Sequence, residues 1–120
     1  MTLRLPVVCV ALALAVTAHA QQFKCPANRG SSLLVSADVY DGPPAEMVQL
    51  VPDDSTGTMS YTYASWNLEY LFDMGHTPFL VCKFAGLPDT EKTIIKIDQK
   101  VQKCVFKAKS GDRPAEAECK

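Results

Sequence analysis

The chain has 120 residues, 48% of them hydrophobic, and a formal net charge of −1 at pH 7. That balance excludes a strongly basic nucleic-acid binder and a highly charged disordered chain, and the length excludes several large domains. The apolar content can build a core, but a core of this size gains from covalent staples.

Residues 1–20 read as a secretory signal peptide. Arg4 supplies the positive end, Leu5 to Val16 is an apolar run, and Ala18-His19-Ala20 is a small-x-small cleavage site. The run is short for a membrane span, so no transmembrane segment is expected after cleavage. Cys9 is an apolar filler that leaves with the signal. Residues 21–120 are expected to form one β domain, periplasmic or secreted. Its 11 basic and 13 acidic residues are unevenly placed. Gln21 to Cys82 holds two basic and seven acidic residues, and Lys83 onward nine basic and six acidic. Four cysteines remain, Cys25, Cys82, Cys104 and Cys119, which allow three pairings. An even count in an exported chain favours two disulfides. No CxxC occurs and only His76 survives cleavage, so neither a metal nor a cofactor is expected.

In chain order, Ser32 to Tyr40 reads as a strand that buries Leu33, Val35, Ala37 and Val39. Asp41-Gly42-Pro43-Pro44 is a turn. Ala45 to Val51 suits a short helix or a strand, ended by Pro52. Thr58 to Phe72 is rich in aromatics and reads as one or two strands with a bend near Ala64-Ser65. Asp73 to Thr77 turns the chain.

Two β-hairpins follow. Pro78–Phe84 pairs with Glu91–Ile97 across a turn holding Gly86, Pro88 and Asp89, which sets Cys82 opposite Thr93 and Leu80 opposite Ile95. Val101–Ala108 pairs with Ala115–Cys119, which sets Ala108 opposite Ala115, Phe106 opposite Ala117 and Cys104 opposite Cys119. Opposed residues have Cβ atoms about 4.5–5.5 Å apart, close enough for local twist to admit a disulfide. A Cys104–Cys119 bridge leaves Cys25 for Cys82. The overall expectation is a mainly β chain: a single small antiparallel sheet or barrel-like domain with at most one short helix and two disulfides.

Alternation along these strands sorts the residues into two faces. One, with Leu80, Cys82, Phe84, Ile95, Ile97, Cys104 and Phe106, reads as core. The other carries an apolar stripe, Val81, Ile94 and Val105, bordered by Lys83, Lys92, Lys96, Lys103 and Lys107. This is a candidate contact face for an acidic protein or envelope component, tempered by Glu116 opposite Lys107.

Other constellations are weaker. His76 is the one histidine left for acid–base chemistry, and a small envelope hydrolase would have to pair it with a carboxylate. The carboxylates Asp38, Asp41, Glu46, Asp53 and Asp54 do not have EF-hand spacing. Tyr61, Tyr63, Trp66 and Tyr70 suit core packing better than a ligand platform.

Cys25-Pro26, Val39 to Pro44, Leu50-Val51-Pro52-Asp53, Trp66-Asn67-Leu68, Leu80 to Phe84 and Cys104 together resemble a family of small, functionally uncharacterised exported proteins of Gram-negative bacteria. The resemblance implies a periplasmic protein and carries no catalytic residues. In size, export and cysteines the chain is also similar to bacterial periplasmic lysozyme inhibitors, but their Ser-Gly-x-x-Tyr loop is absent. The expected function is a non-enzymatic binding or interaction module.

Overall fold

The computed structural model describes residues 23–111 and 113–120; the expected signal peptide lies outside them. The strands are β1 (Phe23–Lys24), β2 (Asn28–Arg29), β3 (Ser32–Asp41), β4 (Asp54–Gly57), β5 (Tyr61–Asn67), β6 (Pro78–Phe84), β7 (Thr93–Lys96), β8 (Lys103–Lys109) and β9 (Glu116–Cys119). One short helix, α1 (Glu69–Asp73), and 3-10 turns at Pro44–Glu46 and Asp89–Glu91 complete the elements. The fold is mainly β, with two antiparallel sheets ordered β1-β9-β8-β5-β4 and β2-β3-β6-β7.

Both hairpins have the expected registers. Leu80 faces Ile95 and Cys82 faces Thr93; Cys104 faces Cys119 and Phe106 faces Ala117. Cys104 is bonded to Cys119 within one sheet, and Cys25 is bonded to Cys82 across the two. The expected Ala108–Ala115 pair does not form. The last strand starts at Glu116, and the Ala115 N–H instead donates to the Leu34 carbonyl at 2.9 Å.

The two sheets bury a common core. Ala64, Trp66, Cys104, Phe106 and Ala117 come from one, and Leu34, Ala37, Val39, Leu80, Cys82 and Phe84 from the other. Each fully buried leucine contributes about 2 kcal/mol. Trp66 is buried, and its indole N–H donates to the Leu50 carbonyl at 3.3 Å, which gives the polar edge of the ring a partner.

Three expectations fail for local reasons. Strand β3 was expected to bury Val35. A bulge places Leu34 opposite Phe84 and Ser36 opposite Lys83, so one residue is inserted and the alternation changes phase. Leu34 is then 1% exposed and Val35 49%. In the aromatic segment, β5 is followed by a helical turn, α1, that buries Leu71; the chain does not continue as strand. Between Ala45 and Val51 there is neither a full helix nor a strand. Pro44–Glu46 is a 3-10 turn, Met47 takes a left-handed conformation (φ 61°), and Gln49 forms a single bridge to Tyr40.

Candidate functional site

The stripe of Val81, Ile94 and Val105 does not form one face. Strands β6 and β7 lie in one sheet and β8 in the other. The expected strands leave only Asp98-Gln99-Lys100 as a short connection between Ile97 and Val101, whereas residues 97–102 cross from sheet to sheet. The Ile97 N–H holds the Pro78 carbonyl on one side, and the Lys103 N–H holds the Lys120 carbonyl on the other. Ile97 and Val101 are buried along the way. Strand β8 is flanked by β5 and β9, which leaves β7 at an edge.

The first half of the stripe occupies the outer face of the β2-β3-β6-β7 sheet. Val81, on central strand β6, is 1% exposed, with Asp38 and Ile94 opposite it on the two neighbouring strands. Ile94, on edge strand β7, is exposed. The lysines here are partly committed. Lys83 lies 3.4 Å from Asp38, and Lys92 donates to Asp89 at 2.8 Å. That hydrogen bond holds the Asp89 carboxyl below its ordinary range and raises the Lys92 ammonium.

The second half lies on the outer face of the other sheet. Register puts Tyr63 beside Lys107, Ser65 beside Val105, Glu116 beside Lys107 and Glu118 beside Val105. Tyr63, Val105, Lys103, Lys107, Glu116 and Glu118 line a shallow trough of about 290 Å³. Among the described residues, no carboxylate lies within 4.0 Å of the Lys103 or Lys107 ammonium. Their charge therefore faces solvent. Tyr63 was missed as a member of this group because its neighbour Lys107 is distant in sequence and is brought alongside by the β5–β8 pairing.

The carboxylates Asp38 and Asp53 take separate partners. Asp38 accepts from Gln49 Nε2 at 3.1 Å, and Asp53 accepts the Asn67 N–H at 2.6 Å. Among the described residues no group of three His, Cys, Asp or Glu side chains is placed to hold a metal ion. His76 does meet a carboxylate: its Nδ1 lies 3.1 Å from both oxygens of Asp41. The pair borders an open depression with Gly42, Glu46, Val48 and Thr77. All four described cysteines are in disulfides, so none is a nucleophile for it. The contact ties the segment ahead of β6 to the end of β3.

One end of the sandwich carries features that the sequence reading did not single out. The connections 42–53, 68–77 and 97–102 all cross it, because β3, β5 and β7 end there and β4, β6 and β8 begin there. Met47, Val48, Val51, Tyr70 and Met74 in two of these connections are exposed. Pro43, Pro44 and Pro52 bracket an apolar run with neither helical nor strand period, and that was the available signal. Lys100 spans this end. Its ammonium is 2.9 Å from Asp73 and 3.8 Å from Glu69, and the bond to Asp73 raises its pKa.

No helix among the described residues is long and apolar enough to cross a membrane. No curated protein and no solved structure matches the chain. A family model does: residues 28–120, from β2 to β9, match the type VI secretion system Tli immunity protein, and the chain belongs to that family.

Proposed function

We propose that this chain neutralises an effector of a type VI secretion system by binding it, without catalysis, in the periplasm, to which residues 1–20 direct it. The observation that carries this reading is the family match over residues 28–120. The physical setting agrees with it. An immunity protein has only to hold its toxin in an inactive complex. A sandwich stapled within one sheet and between sheets loses little further freedom on docking, which favours tight association.

Of the contact residues expected from sequence, Lys103, Val105 and Lys107 are proposed to meet an acidic surface of the partner, because among the described residues no carboxylate lies within 4.0 Å of either ammonium. Lys83 and Lys92 are so held. Ile94 and Lys96 are proposed to contribute only at the rim.

The test is protection. Each effector of the source bacterium's type VI system is directed to the periplasm of a susceptible host, with or without this chain. Rescue from at least one effector is expected. Failure to rescue from any of them, with the chain present in the periplasm and oxidised, would overturn the reading.

A further inference from the structure

Large apolar side chains are unevenly distributed on this surface. Of the eight that are most exposed among the described residues, five lie in the connections 42–53 and 68–77 at one end of the sandwich: Met47, Val48, Val51, Tyr70 and Met74. Met47 is 83% exposed and Val51 85%. Apolar side chains grouped in this way, beside charge, are the usual mark of a protein-binding surface.

These side chains stand on a braced backbone. Met47 is the one non-glycine residue with positive φ among the described residues. That conformation costs an ordinary side chain stability and persists only where neighbours impose it. Here the Met47 N–H donates to Pro44, the Asp41 N–H to the Val48 carbonyl and the Leu50 N–H to Val39, each at 2.8–2.9 Å. Trp66 holds the Leu50 carbonyl from the core side. The loop therefore presents Met47 and Val51 with little entropy left to lose, as good interface anchors do.

Charge indicates what they meet. The connections 42–53, 68–77 and 97–102 contain five carboxylates, Glu46, Asp53, Glu69, Asp73 and Asp98, against one lysine, Lys100. Lys100 is itself held by Asp73. This end thus carries an acidic excess together with the exposed apolar residues, opposite in sign to the cations Lys103 and Lys107 on the adjoining sheet face.

We propose that this end of the sandwich enters the effector, with Met47 and Val51 seated in an apolar cleft whose rim is basic. The inference rests on the immunity reading and specifies how it is carried out. The basic rim follows from electrostatic complementarity with the five carboxylates.

The test uses the oxidised mature chain against each type VI effector of the source bacterium, purified singly, with affinity measured by titration calorimetry. Met47→Gly combined with Val51→Ala removes the anchors, and glycine accepts the positive φ, so the fold is kept. The expected result is a loss of affinity of about thirtyfold or more, the scale of interface hot spots. Met59→Ala, in the exposed turn between β4 and β5, is expected to change affinity less than about threefold. Glu46→Gln should slow association and reduce its dependence on salt. If the native chain binds an effector and the double variant binds it equally well, the anchoring proposal is wrong while the immunity reading stands. A loss confined to Lys103→Ala and Lys107→Ala would likewise overturn it, by moving the contact to the trough. If the native chain binds no effector, both fall.

Discussion

The two disulfides differ in what they hold. Cys25–Cys82 closes a segment of 57 residues and joins the sheets, whereas Cys104–Cys119 closes 15 residues inside one hairpin. All four cysteines are at most 3% exposed, so replacing either pair by alanine removes similar buried volume. The packing losses largely cancel in a comparison, and the loop-closure entropy of the unfolded chain is left. With these lengths the chain-entropy relation gives about 4.2 kcal/mol for the first bridge and about 3.0 kcal/mol for the second. The expected difference is about 1.2 kcal/mol, or roughly 5–10 °C in Tm for a domain of this size. Urea unfolding of C25A/C82A and C104A/C119A beside the native chain measures it, with the slope of each transition checked so that a change in the unfolded state is not read as stability. Equal losses, or a larger loss from opening Cys104–Cys119, would refute the reasoning.

Other outcomes follow from particular contacts. Leu34→Ala should cost about 2–5 kcal/mol in urea unfolding and Val35→Ala at most about 0.5 kcal/mol, the reverse of what unbroken alternation along β3 requires. Trp66→Phe leaves the Leu50 carbonyl without its donor and should cost about 1–3 kcal/mol, with faster amide exchange at Gln49 to Asp53. Lys92→Met should return the Asp89 carboxyl toward its ordinary value of 3.8 in an NMR titration. Since Asp89 is depressed in the folded chain, its contribution is present above that value and is lost as pH falls through the lower, folded one. Lys100 behaves in the opposite sense: its contact with Asp73 is complete below 10.5 and is lost as pH rises through the raised value, which alkaline titration of the Asp73 carboxyl chemical shift can follow.

How far the sequence can be read depends on how local the deciding interaction is. The Leu80–Ile95 and Cys104–Cys119 registers were legible because each hairpin has a short turn with recognisable turn formers and alternating strands on both sides. The disulfides follow from that register together with the count of four cysteines. The bulge at Val35 was not legible, since Leu33, Leu34 and Val35 are all apolar and either phase buries something. The helical turn Glu69–Asp73 follows an aromatic strand and is too short to show a period; only the burial of Leu71 distinguishes it. The division into two sheets was the largest omission. It rests on β5 pairing with β8, residues 61–67 with 103–109, a long-range choice that no local pattern encodes. With that pairing missing, Val81 and Val105 looked like neighbours, and the lysines around them looked like one ring.

The most direct test of neutralisation by binding is its stoichiometry. A neutralised effector, identified by periplasmic rescue, is held at a concentration well above the dissociation constant and titrated with the oxidised chain while the loss of effector activity is followed. Activity should fall linearly and vanish at one chain per effector, with both proteins covalently unchanged by mass spectrometry. Inactivation by far less than one equivalent, or a mass change in the effector, would mean that the chain acts as a catalyst and would contradict neutralisation by a bound complex.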